Sequence, residues 1–108
     1  MEEQARSPSS DDARLVRSVL RGQVDAFDEL VQRYQRWAVA VAYRLLNNRD
    51  DAMEVVQDAF LKAYSRLDSL SKPGRFGSWL MTIVSNLALN RRRARALRTM
   101  APLEAGQD

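Results

Sequence analysis

Where glycine and proline fall confines this chain more than any other feature. They occur only at Pro8, Gly22, Pro73, Gly74, Gly77, Pro102 and Gly106, so no Gly or Pro falls between Gly22 and Pro73 or between Gly77 and Pro102. Long intervals of that kind, rich in Ala, Leu, Arg and Val, predict helices joined at the breaks. The apolar spacing agrees. Leu15, Val16, Val19 and Leu20 predict a short first helix, capped by Asp11 or Asp12 and stopped at Gly22. Phe27, Leu30, Val31, Tyr34, Trp37, Ala38, Val41 and Leu45 predict a second, from an N-cap at Asp25 to Asn47 and Asn48. Met53, Val56, Phe60, Ala63, Tyr64 and Leu67 mark the buried side of a third, which starts near Asp50. Trp79, Leu80, Ile83, Val84 and Leu87 mark that of a fourth, with Ser78 as its N-cap. The expected fold is all-α, a compact three- to four-helix bundle over residues 11–98. Residues 1–10 are expected to form a disordered tail, and residues 99–108 a frayed end or the start of a linker.

A chain of 108 residues makes one small domain. It has no Cys and no His, which removes disulfides, thiol and imidazole chemistry and the usual zinc sites together. No cofactor or metal is expected. There is no apolar run of membrane-spanning length and no signal-peptide pattern, so the expected protein is soluble and cytoplasmic.

Charge divides the chain in two. Residues 1–68 hold twelve acidic and ten basic side chains, whereas residues 69–108 hold seven basic and two acidic ones. The net charge of +3 therefore conceals a basic back half, which suits a polyanionic partner. Within the fourth helix, Thr82, Asn86, Asn90 and Arg93 follow at helical spacing and form a polar stripe beside the apolar one. Arg91, Arg92, Arg93, Arg95 and Arg98 come next. Arginine neutralises phosphate, and Asn offers a donor and an acceptor to a base edge. A solvated cluster that simply complements the helix dipole would look the same in sequence. Elsewhere, Leu61 lies among Glu54, Gln57, Asp58 and Lys62 on the outer side of the third helix, which suits a docking face. The aromatic residues Phe27, Tyr34, Trp37, Phe60, Tyr64 and Trp79 are expected in the core.

Three segments, AFDELVQRY (26–34), DAMEVVQDAFLKAY (51–64) and FGSWLMTIVSNLALN (76–90), resemble region 2 of bacterial sigma factors in order and spacing. The nearest subclass is the extracytoplasmic-function (group IV) sigma factors, and the resemblance covers about residues 12–98. It implies a helical domain that binds core RNA polymerase, recognises the −10 promoter element and helps open the duplex. By position, Glu54, Gln57, Asp58 and Leu61 match the segment that docks on the clamp helices of the largest catalytic polymerase subunit. Asn86 and Asn90 match positions that face promoter DNA. The loop at residues 68–77 matches the one that receives a base flipped from the non-template strand. In it Leu70, Ser71, Lys72, Arg75 and Phe76 are the candidate contacts, with Leu70 and Phe76 able either to wall a pocket or to pin the loop. Arg91, Arg92, Arg93 and Arg95 would supply phosphate contacts. An anti-sigma factor is a further implied partner.

The sequence departs from the family at Met53, where an acidic residue is common, and at Leu70, where many members have Phe. Members normally continue into a second helical domain, region 4, and these residues are read as the first domain without it. Two other readings compete. A helix-turn-helix DNA-binding domain needs a turn of about three or four residues, which the loop at residues 68–77 exceeds. A protein-interaction bundle needs no nucleic-acid surface. Catalysis is not expected, because the carboxylates of the third helix come with no His and no pocket pattern.

Overall fold

The computed structural model describes the backbone of residues 8–107 and the side chains of residues 11–99. Among the described residues four helices follow one another: α1 (Pro8–Leu20), α2 (Asp25–Leu46), α3 (Arg49–Ser65) and α4 (Phe76–Gln107). Two short 3₁₀ turns, Leu67–Ser69 and Pro73–Arg75, fill the connection between α3 and α4. No strand occurs among the described residues. α2, α3 and α4 each pack against the other two, and α1 lies across α2 and the Pro73–Arg75 turn. The expected all-α bundle is what forms.

Each helix end has a local cause, and several differ from expectation. α1 begins at Pro8, a residue suited to a first turn because its missing N–H has no partner there in any case. Neither expected cap is needed, and Asp12 is buried at 1% exposure instead. α2 starts behind Val24 with no side-chain cap, so Asp25 is its first residue and acts through its charge near the dipole's positive end. Asn47 closes α2 in the left-handed conformation (φ 52°), and Asn48 caps α3 by accepting from the Asp51 N–H at 2.9 Å. α4 starts at Phe76, and Ser78 is not its cap but donates to the Arg75 carbonyl at 3.2 Å. Residues 1–7 of the expected tail lie outside the described residues, and α4 continues past the expected stop near Arg98 to Gln107.

The core consists of Leu15 and Val16 from α1, Phe27, Leu30, Ala38 and Ala42 from α2, Val55, Val56 and Phe60 from α3, and Phe76, Leu80 and Val84 from α4. Each large side chain buried in it contributes about 1.5–3 kcal/mol. Alanines set the helix spacing. Ala52, Ala59 and Ala63 of α3 and Ala88 of α4 are fully buried and bring the backbones close. The expected buried side of α3 shifts accordingly: Met53 and Tyr64 are exposed at the surface, as is Trp37 of α2. Trp79 is only partly buried.

A polar tie joins α1 to α2. The Asp12 carboxylate accepts from the Tyr34 phenol and from Arg33 Nη1 at 3.1 Å. The Tyr34 ring in turn covers Gly77, where a Cβ would meet the phenol oxygen at 2.7 Å. A side chain at this position would have to displace that ring, which its bond to Asp12 holds in place.

Candidate nucleic-acid interface and docking groove

The loop between α3 and α4 is anchored at both ends by apolar side chains. Leu67 and Phe76 are buried, and Leu70 is half-buried between them. Phe76 makes ring contacts with Phe27, Tyr34 and Trp79 at centroid separations of 6.2, 5.7 and 6.0 Å. It therefore pins the loop to the core, and the expectation that it contacts a base is corrected: a ring with no accessible surface cannot stack on one. Ser71, Lys72 and Arg75 remain exposed. With Leu70 they border a concavity of about 300 Å³, completed by Ser78, Trp79 and Thr82 of α4. Trp79 is a wall of this hollow that sequence reasoning assigned wholly to the core. Its place at the edge of the apolar stripe, next to the polar one, was the available signal.

Along α4, Thr82, Asn86, Asn90 and Arg93 all face solvent. Arg93 Nη1 donates to Asn90 Oδ1 at 3.1 Å, which orients that amide. The remaining arginines divide. Arg92 and Arg98 are exposed. Arg91 instead reaches Asp51 at 3.2 Å and Glu54 at 3.1 Å, and Arg95 reaches Asp51 at 3.4 Å and the Leu46 carbonyl at 3.0 Å. Of the four arginines expected at phosphate, Arg91 and Arg95 are thus the two engaged with α3. Arg91 and Arg95 stand seven residues beyond the buried Val84 and Ala88, so they lie on the core-facing side of α4 and cross to the acidic start of α3. These pairs are partly exposed, which keeps each to roughly 1 kcal/mol or less.

On α3, Glu54, Gln57, Asp58 and Leu61 are exposed, Leu61 at 65%. Three of them, Glu54, Gln57 and Leu61, border a groove of about 940 Å³ between α2 and α3. Val31, Val39, Met53 and Phe60 supply apolar wall, while Asp28 and Asp50 join Glu54 as acidic members. Asp58 is not part of the lining. The exposure of Met53 and Tyr64 has its explanation here, since both belong to the groove wall rather than to the core. Met53 adds a flexible apolar side chain to that wall.

The described residues thus form an all-helical bundle with a basic, amide-bearing helix on one side and an acidic, apolar-floored groove on another. Sigma-70 region 2 matches residues 30–98, and the chain belongs to that family. Among its relatives is the ECF RNA polymerase sigma factor SigW of Bacillus subtilis, 34% identical over 76 residues, or 70% of this chain and 41% of the relative. The RNA polymerase sigma-H factor of Pseudomonas aeruginosa is 38% identical over 87 residues, or 81% of this chain and 45% of the relative. The ECF RNA polymerase sigma-E factor of Escherichia coli (strain K12) is 40% identical over 79 residues, or 73% of this chain and 41% of the relative. The matches span somewhat under half the length of these relatives.

Proposed function

We propose that this chain acts in transcription initiation as the region 2 domain of an ECF sigma factor, binding core RNA polymerase and the non-template strand of the −10 element. The observation that carries the reading is the position of Thr82. It borders the loop concavity and also begins the exposed stripe that runs through Asn86 and Asn90. A base drawn into the loop would therefore lie against the helix that contacts its neighbours. Extruding a base from a duplex costs a few kcal/mol. Trp79 and Leu70 offer it apolar wall, and Lys72 and Arg75 offer charge to the adjoining phosphates. Asn86, Asn90, Arg92 and Arg93 extend the contact along the strand.

The α2–α3 groove is the proposed polymerase dock, with the clamp helices of the largest catalytic subunit as its occupant. Its apolar wall suits a helix, and its acidic members suit basic residues on that helix. The domain works in the cytoplasm, has no catalytic role of its own, and is held inactive by an anti-sigma factor that covers one of these two surfaces. A helix-turn-helix reading fits less well, because the connection into α4 is two 3₁₀ turns rather than one tight turn.

Grafting residues 69–75 from a relative with another promoter preference, in the polymerase-bound chain, tests the promoter reading. The favoured non-template base should change while overall affinity stays similar. A preference that ignores the graft and follows Asn86 and Asn90 alone would refute base capture by the loop.

A further inference from the structure

One face of α2 serves neither the core nor the groove. After Glu29 the helix has no acidic residue to its end at Leu46, and its basic residues are Arg33, Arg36 and Arg44. Arg33 is engaged by Asp11 and Asp12. Arg36 and Arg44 are exposed and form no ion pair with a described residue. Trp37 and Tyr43, 51% and 45% exposed, share their side of the helix. At 100° per residue all four fall within about 120° of the circumference. Ala40 between the rings keeps the surface low, so both stand clear of it. Half-exposed aromatics interleaved with arginines that pair with no described residue make one mixed apolar and basic patch.

The surroundings extend this face toward α4. α2 and α4 run parallel, since Tyr34 covers Gly77 at one end and the Leu46 carbonyl receives Arg95 at the other. Where α2 ends, Arg44 and Asn47 meet Arg92, Arg95 and Thr99 around a polar hollow of about 420 Å³. The basic face thus continues into the start of the exposed arginines of α4.

We propose that this face of α2 is a second track for single-stranded DNA, with Trp37 and Tyr43 stacking on bases and Arg36, Arg44 and Arg92 holding phosphates. It rests on the reading that the chain grips a melted strand, and it adds a surface outside the loop and the Asn86–Asn90 stripe. Charge selects the occupant: three exposed arginines that form no ion pair with a described residue repel a basic helix and attract a polyanion. The rings select among polyanions, because every base offers a π-face and a duplex hides it. Six residues of helix separate Trp37 from Tyr43, about 9 Å along the axis, so each ring serves a different nucleotide.

The test uses the chain bound to core polymerase and two sets of labelled oligonucleotides. One carries the −10 element alone, and the other adds about six thymidines on one side or the other, within the usual footprint of a stacking platform. One of the extensions should tighten binding about tenfold. Trp37→Ala, and separately Arg36→Gln with Arg44→Gln, should abolish that gain and leave affinity for the short oligonucleotide and for core unchanged. Trp37→Phe should retain most of it, and circular dichroism should find every variant folded. The proposal is overturned if neither extension tightens binding, if the variants weaken core binding instead, which would make the face a protein contact, or if they weaken both oligonucleotides equally. Lys72→Gln with Arg75→Gln separates the two readings. An unchanged affinity for the short oligonucleotide would count against the loop, while the extension gain still decides the track.

Discussion

Asp12 and Tyr34 are joined by a hydrogen bond from the phenol to a carboxylate with 1% exposure, and the same tyrosine ring lies on Gly77. One side chain of α2 thus links the first helix to the start of the last, beside the loop proposed to take a base. Burial, then the bond to Asp12, raises the Tyr34 pKa well above the ordinary phenol value. The neutral phenol is the form that folding favours. Its stabilisation is complete below the ordinary value of about 10 and is lost as pH rises through the raised one. Alkaline absorbance titration should show one tyrosine that resists ionisation, and Tyr34→Phe should remove that delayed component.

Asp12→Ala leaves the phenol and one contact of Arg33 without an acceptor. Arg33 has partial access to water, so the loss should be about 2 kcal/mol rather than the 3–5 kcal/mol of a fully buried pair. Urea denaturation measures it. A change below about 0.5 kcal/mol, the range of ordinary surface substitutions, would show that the tie contributes little.

Gly77→Ala places a methyl 2.7 Å from the Tyr34 phenol oxygen and 2.8 Å from a ring carbon. Overpacking of that kind costs typically 1–3 kcal/mol. Tyr34→Phe should relieve little of it, because the ring carbon remains, whereas Tyr34→Ala should relieve most. A double-mutant cycle checks this. Additive effects of Gly77→Ala and Tyr34→Ala would mean that the glycine is needed for another reason.

The arginines of α4 should separate by function. Each phosphate contact contributes about 0.7–0.9 to the logarithmic salt dependence of binding. Arg92→Gln should lower the slope by about that much and leave stability alone. Arg91→Gln should leave the slope nearly unchanged and cost up to about 1 kcal/mol of stability through its lost pairs with Asp51 and Glu54. Equal slopes for the two variants would contradict the division.

Leu61→Ala should weaken binding to core polymerase by about tenfold, the effect of an apolar interface contact worth roughly 1.4 kcal/mol. Asp58→Lys should act mainly on the association rate, since Asp58 lies outside the groove lining. Neither should lower the melting temperature, because both side chains are exposed. Loss of helicity in either variant would place the residue in the fold rather than in the dock.

Four helices and their breaks could be read directly from the chain, because glycine, proline and asparagine act on the backbone locally. The polar stripe of α4 was legible for a similar reason: Thr82, Asn86 and Asn90 share a face through helical spacing alone. Tertiary structure decided what depends on rotation and on neighbours. The burial of Ala52 and Ala59 beside the expected Ala63 goes with a turn of α3 that leaves Met53 and Tyr64 at the groove, and such weakly apolar alanines give little sign of that in sequence. Asp12 has the composition of a helix cap, and only the approach of Tyr34 and Arg33 from α2 makes it a buried acceptor. Arg91 and Arg95 look identical to Arg92 along the chain. They differ because an α-helix turns 100° per residue, which aims the first two at the carboxylates of α3 and the third at solvent.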